Sequence, residues 1–198
     1  MIIKWIVCKV PENKREEFSY AQTQWKSLRN IEGFLGQIGG WDSQMSSKAG
    51  ILSFWKEFQS YRAFMENEHD KIFKRNQQAN TYSNISVEIY SETVALSGVD
   101  IIDSLTLATF VRVASFTAPV TMPNHLEAIQ KNLEEGPIYQ DVLANVFSKD
   151  REKNCLLASL GRGKESLKKW EDSPSNSSKE SVDIQETLLQ LEKNWLII

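Results

Sequence analysis

The spacing of apolar positions changes period several times along the first ninety residues, and each change marks an element. Residues 2–10 carry apolar side chains on both alternating sets, Ile3, Trp5 and Val7 against Ile6, Cys8 and Val10, as in a strand covered on both faces. Asn13 can cap a helix with Glu16 three residues on, and Phe18, Ala21, Trp25 and Leu28 then recur at helical spacing until Gly33 ends the element. Residues 34–42 return to a strand pattern, 43–47 form a polar tip, and 50–55 read as the hairpin partner. Phe58, Tyr61, Met65, His69 and Ile72 are three or four apart, which predicts a second helix with a histidine in its apolar stripe. Ile85, Val87 and Ile89 alternate with Ser86, Glu88 and Tyr90 in a fourth strand. The order is β-α-β-β-α-β, which folds as a four-stranded antiparallel sheet with its helices on one face, the ferredoxin-like arrangement.

The same order begins again after residues 94–103, which hold Gly98 and two acids and read as a linker between units at 1–93 and 104–198. Residues 105–113 are strand-like. Residues 123–135 are helical, with Leu126, Ile129 and Leu133 on one face and a stop at Gly136-Pro137. Strands at 138–148 and 155–160 flank a charged tip, and a short helix at 164–170, a serine-rich loop at 173–181 and a closing strand at 184–195 follow. Ile6 and Phe110, Gly33 and Gly136, Ile51 and Cys155, and Val87 and Leu191 recur at an offset of about 104 residues. The fold expected is α+β: a tandem duplication of a ferredoxin-like unit, two four-stranded antiparallel sheets packed as a dimeric α+β barrel. A single chain that closes its own barrel is a monomeric pseudodimer; the alternative is a homodimer in which each copy pairs with its counterpart in another chain.

Composition narrows the partners. Lys plus Arg number 23 against 26 Asp plus Glu, a net charge of -3, so no global field gathers nucleic acid or an anionic membrane. Lys4 and Lys9 interrupt the apolar opening, which argues against a signal peptide, and no stretch approaches the roughly 18 apolar residues of a membrane span. Cys8 and Cys155 lack the spacing of redox or zinc motifs, so a cytoplasmic protein with neither metal nor cofactor is expected. Gly161-Arg-Gly-Lys164 is not a phosphate loop: Ala158 stands where its first glycine belongs, and Glu165 replaces the Ser or Thr.

Lys4-Trp-Ile-Val-Cys8, Gly33-Phe-Leu-Gly-Gln-Ile-Gly-Gly-Trp41, Phe54-Trp55 and Phe64-Met-Glu-Asn-Glu-His69-Asp70 resemble a family of bacterial, largely Bacillus-type proteins without an agreed activity, assigned to the dimeric α+β barrel superfamily. That superfamily includes the antibiotic biosynthesis monooxygenases, cofactor-free oxygenases of aromatic polyketides, and the haem-degrading monooxygenases. The resemblance covers residues 1 to 92 by motif and residues 104 to 198 by element order alone. It implies the fold, and it implies a monooxygenase-like enzyme as one of several activities that the fold carries, beside dehydratases, isomerases and binding proteins. Haem degradation would need an Asn in the first strand and a Trp about ten residues before a His in the second helix; the first strand here has no Asn, and Phe64 precedes Lys74 at that spacing.

Two polar residues carry the candidate chemistry. A neutral imidazole beside an apolar pocket takes a proton from a phenol or enol near neutral pH, which makes His69 a candidate base, with Glu68 and Asp70 beside it as orienting groups. The competing role for His69 is to cap a break in the second helix, where Asn67 interrupts the pattern, by bonding backbone. Gln37 is the polar anchor among four of the nine glycines, at 33, 36, 39 and 40, which imply a bulge, close helix packing or a ligand near the backbone. Trp5, Trp25, Trp41, Trp55 and Phe73 supply aromatic walls for a small apolar or aromatic molecule, or simply core. At the 104-residue offset the tryptophans fall on Thr109, Ile129, Asn145 and Ser159, and His69 on Ser173, so a pocket belongs to the first copy and the second stabilises it. Three functions are consistent with this pattern: an enzyme of the cofactor-independent oxygenase or isomerase type, a binding or sensing module without chemistry, and an interaction protein with a filled core.

Overall fold

β1 (Ile2–Lys9) is apolar on both alternating sets because both its faces are covered, with Ile2 and Cys8 buried on one and Ile3 and Trp5 on the other; it is also an inner strand, antiparallel to β3 (Lys48–Trp55) on one side and to β4 (Asn84–Tyr90) on the other. β2 (Phe34–Asp42) pairs with the free side of β3, giving the order β4-β1-β3-β2. The computed structural model describes residues 1–98, 100–117, 142–150, 152, 154–163 and 184–198. They fall into two units, Met1–Glu92 with Leu189–Ile198, and Thr93–Leu188. No helix among the described residues is long and apolar enough to cross a membrane.

In the first unit, α1 (Arg15–Thr23), α2 (Phe58–Asn67) and α3 (His69–Asn76) cover one face of the sheet. Even positions of β1 face them: Ile2 packs with Trp25, Leu28, Phe64 and Ile72, and Cys8 with Phe18. Odd positions face the other side, where the Trp5 ring lies against Gly50. Asn13 does not cap the first helix, which α1 begins at Arg15 after a 3-10 turn over Glu12–Lys14; from Gln24 the chain tightens again into 3-10 geometry, still burying Trp25 and Leu28. The second predicted helix breaks at Glu68 (φ -122°, ψ -31°), just after Asn67 turns its amide back onto the Ala63 carbonyl at 2.8 Å.

The glycines at the start of β2 and within it serve the chain's own packing. Gly33 has φ 75°, and a Cβ there would collide with Ser60 of α2. A bulge separates Phe34 from Gly36, and Gly39 and Gly40 lie against Trp195 and the backbone of Gln190.

β9 (Gln185–Leu191) is shorter than the closing strand predicted at 184–195, and its last three residues pair with β2. A 3-10 turn over Lys193–Trp195 follows; Trp195 is 1% exposed against Phe18 and Trp41, and Ile197 exchanges both backbone hydrogen bonds with Gln37, at 2.8 and 3.0 Å. Residues 189–198 therefore belong with the first unit rather than the second, because their apolar side chains complete its core.

The second unit holds β5 (Glu92–Gly98) and α4 (Ile101–Leu107), where the glycine and acids predict a linker. Asp100 caps α4 by accepting from the Ile102 N–H at 2.8 Å, and Leu105, expected in a strand, is buried in that helix. β6 (Phe110–Thr117) and β7 (Val142–Lys149) flank β8 (Asn154–Gly161), and β5 lies beside β7. The helices predicted at 123–135 and 164–170, the Gly136-Pro137 stop and the serine-rich loop lie outside the described residues.

Strand pairing sets the correspondence between the units. Ile2 faces Trp55 as Phe110 faces Gly161, and the bulge between Phe34 and Gly36 recurs between Val142 and Ala144. The step is thus 108 residues from Ile2 to Phe110 and from Phe34 to Val142, and 106 from Trp55 to Gly161, rather than 104. Gln37 corresponds to Asn145, Lys4 to Arg112 and Ser53 to Ser159, where the sequence offset set Trp41 against Asn145 and Trp55 against Ser159.

Candidate functional site

Lys4 of β1, Ser53 of β3 and Gln37 of β2 are consecutive cross-strand partners, so their side chains stand in one row on the helix-covered face. Ser53 Oγ accepts from Trp55 Nε1 at 3.3 Å, which leaves its O–H as a donor. Lys4 is 8% exposed; its Nζ lies 5.7 Å from the Tyr61 ring centroid and makes no hydrogen bond or ion pair among the described residues. Burial lowers its pKa to about 8 and raises that of the Tyr61 phenol. The carboxylate on the adjoining strand, Glu88, is level with Trp5 on the opposite face and accepts from the Tyr90 hydroxyl.

Beside this row lies an aromatic cluster. Trp55 stacks on Phe64 at 4.9 Å and meets Phe34 and Tyr61 edge-on. Trp25 is held by donation from Nε1 to Gln78 Oε1 at 2.7 Å. His69, the first residue of α3, lies parallel to Phe73 at 5.8 Å and within 5.7 Å of the rings of Trp25 and Phe64. The rim of the cluster, Ile31, Phe34, Met65 and Phe73, is only half-buried, and the His69 side chain is 20% exposed.

His69 does not bond backbone at the helix break. Its Nδ1 lies 3.0 Å from Asp70 Oδ1, and this hydrogen bond holds the Asp70 carboxyl below the usual carboxylate range. Donation from Nδ1–H to Asp70 leaves Nε2 of a neutral ring as the proton acceptor.

Of the residues singled out from sequence, Trp25, Trp55, His69 and Phe73 come together in this cluster. Gln37 shares their sheet face but stands in the row with Ser53, with its backbone tied to Ile197. Trp41 lies in a neighbouring cluster with Phe18 and Trp195, under the Arg15 guanidinium at 3.7 Å, and Trp5 is on the opposite face of the sheet. Lys4 and Ser53 escaped the sequence reading, although a lysine inside a strand apolar on both sides is itself a signal.

Residues 2–90, nearly the whole continuous part of the first unit, match the family model described as Domain of unknown function (DUF4937). The Bacillus subtilis protein YdbC is 40% identical over 94 residues, which are 46% of this chain and 79% of YdbC. Two solved structures resemble the whole chain: a candidate monooxygenase from Lactobacillus acidophilus (TM-score 0.68, 13% identity, 99% of this chain and 95% of that one) and another from Fusobacterium nucleatum (TM-score 0.70, 14% identity, 96% and 91%). At such identities the likeness carries the fold alone, and that fold is an α+β barrel. The match to YdbC across most of that protein carries the family: the chain belongs to the DUF4937 family, whose model matches residues 2–90 within the first unit.

Proposed function

We propose that the first unit binds a small, flat, apolar or aromatic molecule on the helix-covered face of its sheet and oxygenates it without a bound cofactor, as a monooxygenase-like enzyme. The observation that carries this reading is the aromatic cluster around His69, with its half-buried rim and an imidazole already oriented by Asp70. An apolar surface of this kind takes a planar ligand, and the ring nitrogen away from Asp70 takes a proton from its phenol or enol. The electron-rich anion so formed reacts with dioxygen directly. An activated CH₂ becomes a carbonyl, one oxygen atom enters the product, the other leaves as water, and the substrate supplies the electrons. Gln37 donates a hydrogen bond that orients the ligand oxygen.

The test uses anthrone as probe, with oxygen uptake and product mass measured for the wild-type chain, His69→Ala and Gln37→Ala. Catalysed uptake that falls about a hundredfold in His69→Ala, a usual size for loss of a general base, supports the reading. Uptake that is equal in wild type and His69→Ala overturns it. Saturable anthrone binding without uptake makes the protein a binding or sensing module instead.

A further inference from the structure

Lys4, Ser53 and Gln37 all present donors: three ammonium N–H, a hydroxyl whose oxygen is already engaged by Trp55, and an amide NH₂. No carboxylate among the described residues pairs with Lys4, its neighbour on β4 is Ile89, and its Nζ lies over the Tyr61 ring at 5.7 Å. Burying an unpaired cation is costly, so a chain that keeps one facing an aromatic cluster has a use for its charge.

The second unit shows what such a row takes. Its equivalent residues are Arg112, Ser159 and Asn145, again a cation, a serine and an amide in cross-strand register. There a carboxylate of the chain itself, Glu186, pairs with Arg112, whose Nε donates to Glu186 Oε2 at 3.2 Å. β9 lies beside β6 as β4 lies beside β1, so the first unit has Ile89 on the strand where the second carries its acid.

We infer that the row Lys4–Ser53–Gln37 is the anion subsite of the first unit, and that its ligand is an aromatic carboxylate: the carboxylate sits on Lys4 and Ser53, and the ring lies against the aromatic cluster. This inference rests on the aromatic-binding reading above and adds the charged group to it. The row of the second unit is the same device closed by its own Glu186.

The experiment titrates 2-naphthoate and its uncharged analogue 2-naphthamide into the full chain, following fluorescence polarisation of the probes. Wild type is expected to bind the carboxylate about tenfold or more tighter than the amide. Lys4→Met is expected to erase that preference while amide affinity stays within about twofold, and Ile89→Glu, which puts a carboxylate of the chain beside Lys4, erases it as well. Arg112→Met, in the closed row, leaves the preference intact. Equal affinities in wild type, or a preference that survives Lys4→Met or is lost equally in Arg112→Met, would overturn the anion subsite while amide binding keeps the aromatic site standing. Binding of neither probe overturns both.

Discussion

Replacing Lys4 by Met keeps the aliphatic stem and removes the charge, and the resulting change in stability can be worked out in advance. The ammonium titrates near 8 in the folded chain against an ordinary 10.5, so between these values the unfolded chain binds more protons and stability rises with pH. Below the lower value the buried charge costs about 3 kcal/mol, at 1.36 kcal/mol per pKa unit, and roughly 1 kcal/mol of this is recovered between about pH 7 and pH 9. Cys8 and Cys155 act in the opposite direction: burial pushes their thiols up to about 12 and about 11 from 9.0, so their contribution to stability falls as pH climbs past 9. The comparison therefore stops near pH 9 and takes the difference between wild type and variant. Urea unfolding followed by tryptophan fluorescence reports mainly on the first unit, which contains Trp5, Trp25, Trp41, Trp55 and Trp195. Lys4→Met is expected to be more stable than wild type by about 2–3 kcal/mol at pH 7, with the gap narrowing by about 1 kcal/mol at pH 9. A variant that is less stable at pH 7, or a gap that stays constant between the two pH values, would refute the claim that this lysine is buried without a counter-charge. Gained stability together with lost carboxylate preference is the signature of a group retained for binding.

Two further predictions concern the frame around the site. Gly33→Ala forces a side chain into positive φ and into Ser60 of α2, and is expected to lower the urea-unfolding free energy by about 1–3 kcal/mol, whereas Gly36→Ala, at the bulge but with negative φ, costs less. Trp195→Ala empties the space between Phe18 and Trp41 and removes the donor to Ser19 Oγ; a loss of about 3–5 kcal/mol is expected, and an unchanged unfolding midpoint would separate the C-terminal segment from the first unit's core.

Much of the first unit is legible in one dimension. The change from alternation to helical spacing and back is local, and it marks β1, β2, β3 and β4 and the helix stripes before any contact is known. The interruption at Asn67 was visible too, because an amide that competes for backbone carbonyls is a property of the residue itself. The seven-residue helix of residues 101–107 was not: a span so short has too few turns for its period to distinguish it from a linker running into a strand. Nor was the place of Trp195 and Ile197, whose burial depends on partners more than 150 residues away in sequence.

The sequence by itself determined the strand order of residues 1–90, the α+β class, the resemblance to a Bacillus-type family and the aromatic stripe containing His69, since these follow from residue type and near-neighbour spacing. Only the tertiary structure decided which of those residues meet. A bulge between Phe34 and Gly36 adds one residue to one side of a hairpin, moves every later pairing by one and so reverses which side chains share a face. That register sets Gln37 level with Ser53; the continuous pairing of β1 with β3 sets Ser53 level with Lys4 and leaves Trp5 on the opposite face, and the same registers match the row with Arg112, Ser159 and Asn145, a correspondence hidden by the constant offset of 104. Charge burial and cross-strand neighbourhood depend on pairing between segments distant in sequence, and local periodicity holds no record of it.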